Sequence, residues 1–191
     1  MSLRNRRQPS LRYRKLFLVA SEGECTEPCY FEKLRDLSNQ VVIRSIPHKH
    51  SSPKHVLKAM KDKLKSEPIG ENDEAWIIMD KDRWEDSALM SLFNWAEKKN
   101  QHHVAISNPC FELWLLLHFE EATNCDTVQK ITDKLRRHIT AYNKKIPGDK
   151  ITLKNVKEAI LRAKAHDHSK EAAIPGSGTT QVHRLVEKIM E

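Results

Sequence analysis

The stretch Leu16-Phe17-Leu18-Val19-Ala20-Ser21-Glu22-Gly23-Glu24 decides the fold. Its apolar run is short and β-prone, the pattern of a buried strand, and acidic residues follow at once. A second stretch repeats the design: Trp76-Ile77-Ile78-Met79-Asp80-Lys81-Asp82. Each run delivers carboxylates at its carboxyl end, where open parallel α/β sheets build their sites. Carboxylates brought together repel one another, and a divalent cation relieves the repulsion. The pair of stretches therefore reads as a Mg²⁺-type (or Mn²⁺) site acting on phosphates.

Working outward, strand and helix signals alternate. After the strand at about 16–20, Thr26-Glu27-Pro28 opens a helix to about Ser38, with Thr26 as N-cap and Pro28 in the first turn. Val41-Val42-Ile43 is a second strand. Ser51-Ser52-Pro53 opens a helix whose inner stripe is Val56, Leu57, Met60 and Leu64. The third strand covers Ala75 to Asp80, and a helix over about 86–99 turns Leu89, Leu92, Phe93 and Ala96 inward. His103 to Ser107 is a fourth strand. Asn108-Pro109 then starts a helix from Phe111 to Phe119 with almost no polar face, which must be buried all round; Asn108 reads as its N-cap, with phosphate binding at the helix start as the alternative. This alternation predicts an α/β fold with a mostly parallel sheet of about four strands. Beyond residue 120 only helices are expected, at about 126–141, 151–166 and 179–190. The chain thus divides into a basic disordered arm (1–14), an α/β domain (15–120) and a helical extension packed on it (121–191).

The chain has 191 residues and a formal net charge of +7, a balance that suits an anionic polymer. The charge is uneven. Residues 1–21 hold six basic residues and no acid, and 122–170 hold twelve Lys/Arg against five Asp/Glu. On the helices after 126, Lys130, Lys134 and Arg137, then Lys154, Lys157 and Lys164, face outward; they are either a solvated face or a nucleic-acid-tracking surface. No apolar run is long enough to span a bilayer and no secretory h-region follows the basic start, so a cytoplasmic protein without membrane contact is expected. Cys25 and Cys29 lack a second pair at zinc spacing. No glycine-rich phosphate loop is present, which argues against an intrinsic ATPase or a Rossmann dehydrogenase.

Alternate strand residues share a face, so Asp80 and Asp82 point the same way if extension continues past the strand. Gly23 lets the backbone turn after Glu22. Glu22, Asp80 and Asp82, at adjacent strand ends, could hold one or two Mg²⁺ ions; the bland alternative is that Asp80 and Asp82 only begin a polar loop. Glu24 belongs to the first cluster. Glu112 is the odd residue in an apolar helix and needs either a cation or its own helix N-terminus. His48 and His50 are candidate proton donors on a loop after the second strand.

Taken together, Glu22-Gly23 after one strand and Asp80-Lys81-Asp82 after a later one resemble the Toprim domain of primases, topoisomerases and OLD-type nucleases. More closely, the chain resembles the RloB-like family over about residues 15 to 190. The residues that carry this are Glu22-Gly23-Glu24-Cys25-Thr26-Glu27-Pro28-Cys29-Tyr30-Phe31, Asp80-Lys81-Asp82, Ser107-Asn108-Pro109-Cys110-Phe111-Glu112-Leu113-Trp114-Leu115-Leu116 and Thr179-Thr180-Gln181-Val182-His183-Arg184-Leu185-Val186. The resemblance implies a Toprim-like fold, bacterial anti-phage defence linked to restriction and abortive infection, a partner ATPase and a metal-dependent nuclease. By position it makes Glu22 the acid/base and Asp80 and Asp82 metal ligands. Glu27 lies one residue from where OLD-type enzymes place a further acid; it could equally complement the dipole of its helix. Glu24, Glu27 and Glu112 are further candidate ligands.

The expected function is Mg²⁺- or Mn²⁺-dependent cleavage of DNA or RNA. One alternative is a non-catalytic subunit that binds nucleic acid or the partner ATPase. Another is an enzyme acting on small phosphates, which the net positive charge disfavours. The oligomeric state, a homo-oligomer included, is left open by the sequence.

Overall fold

The structure is a computed structural model that describes residues 14–47, 50–140, 142–167 and 173–191. The basic arm, apart from Arg14, and His48 lie outside the described residues. Five strands form one sheet in the order β2-β1-β3-β4-β5. They are β1 (Lys15–Ser21), β2 (Val41–Ser45), β3 (Glu74–Asp80), β4 (His102–Asn108) and β5 (Thr179–Thr180). The first four run parallel, and β5 pairs antiparallel with β4. This is the α/β class expected, consistent with a Toprim-like arrangement, with one strand more than the sequence suggested.

Period-two alternation sorts the strand residues into two cores. Phe17, Val19, Trp76 and Ile78 join one cluster with α1 (Thr26–Leu37), α4 (Glu112–Leu116), α5 (Val128–His138), α6 (Leu153–His166) and α7 (Val182–Met190). Leu18, Ala20, Ala75, Ile77 and Met79 join the other, under α2 (Pro53–Ser66) and α3 (Asp86–Ala96). A sheet covered on both faces explains why its central strands read as continuous apolar runs.

Four local readings need correction. Thr26 is inside α1, where Cys25 holds the N-cap position, and its hydroxyl donates to the Lys144 carbonyl at 3.3 Å. Asn108 is the last residue of β4, not a helix cap; the Asn108–Pro109 peptide is cis, and the Asn108 side chain donates to the Pro175 carbonyl at 3.0 Å. The following helix α4 is only Glu112–Leu116, although Leu113 to Leu117 are all buried as its apolar sequence requires. Finally, Thr179 and Thr180 form β5 before α7 begins at Val182. Gly178 enters β5 at φ +76°, a conformation that glycine adopts without strain, and its amide donates to the Asn108 carbonyl at 2.8 Å. Gln181 continues the pairing: its amide donates to the Ile106 carbonyl and its side-chain Oε1 accepts from the Ile106 amide. The edge of β4 is thereby satisfied from the C-terminal segment.

Trp114 is fully buried in α4, whereas Leu161 on α6 is 63% exposed. Trp114→Ala is expected to lower unfolding free energy by about 3–5 kcal/mol. Leu161→Ala should change it by less than about 0.5 kcal/mol. Urea denaturation of both variants checks this; equal effects would contradict the packing described.

Candidate functional site

In this strand order the chain leaves β1 on one side for β2, then crosses back to β3 on the other. That reversal lies between β1 and β3, and open α/β sheets bind ligands at the carboxyl ends of the strands beside such a point. Glu22 and Asp80 both sit there. The Glu22 amide donates to the Ile78 carbonyl at 3.0 Å, carrying the β1–β3 pairing one residue past the end of β1. The Glu22 carboxylate then reaches over β3, accepting from the Asp80 amide at 3.2 Å and from Trp84 Nε1 at 3.1 Å. The two acidic clusters therefore meet.

Glu27 arrives from the first turn of α1. Its carboxylate accepts from the Gly23 amide at 2.8 Å and is almost fully buried. A methyl group on Gly23 would lie 2.8 Å from the Glu27 Oε1 and Cδ atoms, too close to fit. A side chain at position 23 would therefore displace the Glu27 carboxylate, and no positive φ calls for the glycine. Glu112 opens α4 on the same side of the sheet and accepts from the Tyr142 hydroxyl at 3.0 Å; Thr26 Oγ1 lies 3.4 Å from that hydroxyl. The Asp80–Asp82 segment does not stay extended. The Lys81 amide donates to the Ser107 and Pro109 carbonyls, at 2.9 and 3.1 Å, and the Asp82 amide donates to Pro109 at 3.1 Å. The backbone bends at Lys81, so strand alternation does not place Asp82. The Lys81 ammonium turns away to the Trp84 carbonyl and Asp86.

All six acids singled out in the sequence, Glu22, Glu24, Glu27, Asp80, Asp82 and Glu112, line one cleft of about 730 Å³, within the range of ligand sites. Its electrostatics are those of crowded carboxylates. Burial pushes Asp80 well above the ordinary carboxylate range, and the charges of Glu27, Glu22, Glu112 and Asp82 push it further. Burial likewise raises Glu27 to about 7, opposed by backbone N–H donors, and raises Glu22 despite the Trp84 and Asp80 donors. Asp80 Oδ1 is buried without a hydrogen-bond partner among the described residues.

An orphaned carboxylate oxygen among five further acids fits a hard divalent cation in donor chemistry. The side chains are not gathered as ligands, however. Among the described residues no three His, Cys, Asp or Glu side chains stand close enough to hold a metal ion. Glu22 is turned onto Trp84, Glu27 onto Gly23 and Glu112 onto Tyr142.

The basic residues singled out on the later helices face outward, as read, and lie apart from the cleft. Lys130, Lys134, Arg137, Lys154, Lys157 and Lys164 do not line the cleft; Lys130 pairs with Asp126, Lys134 with Glu120 and Lys164 with Glu187. Arg83, Arg136 and Lys144 line it instead. Sequence reasoning missed them, although Arg136 had a signal: Val128, Thr132 and Arg136 recur at helical spacing on a face away from the buried Ile131 and Leu135. Trp84 had none, because its partner Glu22 is 62 residues away. His50 packs on His55 and does not line the cleft.

These features define a doubly covered α/β protein with a carboxylate cleft at its topological switch point. A family model described as RloB-like protein matches residues 17–189. The chain belongs to the RloB-like family, as its motifs suggested. Neither the curated proteins nor the solved structures yielded a match.

The upward shift of Glu27 has a consequence for stability. Its carboxyl is protonated more readily in the folded chain than at its ordinary value of 4.5. The contribution is therefore fully present below pH 4.5 and is lost as pH rises through about 7. In chelator, wild type is expected to lose about 3 kcal/mol more than Glu27→Gln across that window. Urea denaturation at acidic and alkaline pH measures it; parallel pH profiles would contradict the assignment. Gly23→Ala should cost about 1–3 kcal/mol in the same assay, by displacing Glu27.

Proposed function

We propose that this chain is a metal-dependent nuclease that hydrolyses phosphodiesters of DNA or RNA. The observation that carries the reading is Asp80: a buried, unpartnered Oδ1 in the field of Glu22, Glu27, Glu112 and Asp82, at the switch point of a parallel sheet. Asp80 and Asp82 would hold Mg²⁺ (or Mn²⁺), with Glu24, Glu27 and Glu112 as further oxygen donors from the same cleft. A divalent cation bound there supplies Lewis-acid polarisation of a phosphoryl oxygen and a more acidic water. Glu22 is the acid/base. Trp84 Nε1 and the Asp80 amide fix its carboxylate, and burial raises its proton affinity above the ordinary carboxylate value, the direction that suits a group exchanging protons. Glu27, raised to about 7 by burial, would have to give up a proton to serve as an oxygen donor.

Membership of the RloB-like family supports the setting carried by the resemblance: bacterial anti-phage defence in the cytoplasm, with a partner ATPase. Among the described residues no helix is long and apolar enough to cross a membrane. One observation favours a second reading. The acids are turned onto protein donors rather than gathered as ligands, which suits a non-catalytic subunit whose cleft only docks nucleic acid or the ATPase.

Cleavage of DNA and RNA with Mg²⁺ or Mn²⁺ separates the two. Asp80→Ala is expected to abolish cleavage, and Glu22→Gln to reduce it by about 10²-fold or more. Cleavage that survives Asp80→Ala unchanged rejects this site as the nuclease centre. No cleavage by wild type, alone or with its ATPase, favours the non-catalytic subunit.

A further inference from the structure

Six carboxylates in one cleft repel a polyanion, even with a cation bound among them. Among the described residues three cations share the cleft, and they come from three separate segments: Arg83 from the turn after β3, Arg136 from the last turn of α5 and Lys144 from the loop after α5. Their engagement differs. Arg83 Nε lies 3.7 Å from Asp82 Oδ2, and its charge lowers the proton affinity of Glu22, so it is partly committed to the acids. Among the described residues Arg136 pairs only with Asp133, at 3.7 Å on an exposed part of its own helix. Such solvent-exposed pairs contribute little and do not hold an arginine in place. The Lys144 ammonium makes no ion pair with any described residue. Neither Arg136 nor Lys144 is tied to a carboxylate of the cleft they line.

Lys144 is nevertheless held there. Its backbone sits at φ +71°, a region that few non-glycine residues occupy. Its carbonyl accepts from Thr26 Oγ1 at 3.3 Å, and the Tyr142 hydroxyl donates to Glu112. The loop is thus fastened to the acidic wall at two points, and it carries an uncommitted ammonium. Along α5, Val128 and Thr132 precede Arg136 on the same face of the cleft, and Val128 is 40% exposed. An exposed apolar side chain, a hydroxyl and a guanidinium in one row offer contacts to base, sugar and phosphate in turn.

We propose that Arg136 and Lys144, with Arg83, bind the phosphates flanking the scissile one, and that Val128 and Thr132 form the wall for the adjoining nucleoside. The substrate is then a nucleic-acid strand of several linked phosphates rather than a mononucleotide. The inference rests on the nuclease reading for the word scissile, but the binding itself needs no cleavage.

The test is anisotropy of a labelled single-stranded oligonucleotide titrated with the full chain in EDTA, over a range of salt. R136Q/K144Q is expected to weaken binding at least about tenfold and to reduce the salt slope by about 1.4, the loss of two phosphate contacts on a single strand. The charge-preserving R136K/K144R should retain most of the affinity, which separates lost charge from lost folding. K154Q/K157Q, outside the cleft, should bind as wild type does, and a mononucleotide should compete poorly. Unchanged affinity and slope in R136Q/K144Q, an equal loss in K154Q/K157Q, effective competition by the mononucleotide, or no binding by wild type each overturns the proposal. Arg136-dependent binding without metal-dependent cleavage rejects the nuclease reading alone and leaves this surface assigned.

Discussion

The structure turns on holding like charges together where the sheet reverses direction. Glu22 ends β1 and is pulled across β3 by one backbone and one indole donor. Asp80 ends β3 beneath it, and Glu27 and Glu112 close in from two helices on the same face. Each carboxylate loses hydration there, and each raises the cost of ionising its neighbours. A protein tolerates such an arrangement only if the surrounding scaffold is rigid. Here that scaffold is a sheet with apolar cores on both faces, whose third and fourth strands are locked at their carboxyl ends by the Lys81 and Asp82 amides on Ser107 and Pro109.

The same scaffold explains why the cleft has two chemistries. Its acidic side comes from strand ends and helix starts that the sheet fixes in place. Its basic side comes from α5 and the 142–144 loop, which reach the cleft from the C-terminal half and are fastened to it through Thr26, Tyr142 and Glu112. The C-terminal half also completes the sheet edge through β5 and Gln181. Acids and cations from different parts of the chain thus line one cleft.

Much of this was legible from local patterns. The four parallel strands announced themselves as apolar runs ended by acids or polar turns, and the acids Glu22, Glu24, Glu27, Asp80, Asp82 and Glu112 do share a cleft. The misreadings have a common cause. Thr26 and Asn108 have the chemistry of helix caps, but distant partners, Lys144 and Pro175, claim their side chains. Strand β5 is two residues long, too short for any periodicity, and is defined by the edge of β4 alone. Strand alternation reaches Asp82 only if extension continues past Asp80, and the amide contacts to Pro109 end it there. The cations that line the cleft, Arg83, Arg136 and Lys144, are not marked by charge count, which says nothing about which cations lie beside the acids.

Calorimetric titration of Mn²⁺ in buffers of different ionisation enthalpy tests the central claim most directly, because it counts protons released as the ion binds. A cation entering this cleft would compete with protons at Glu27 and Asp80, whose proton affinities burial and mutual repulsion raise. The account predicts binding with net proton release below pH 7 that shrinks as pH rises, and loss of both in Asp80→Asn. Binding without proton release, or binding that Asp80→Asn leaves intact, would contradict it.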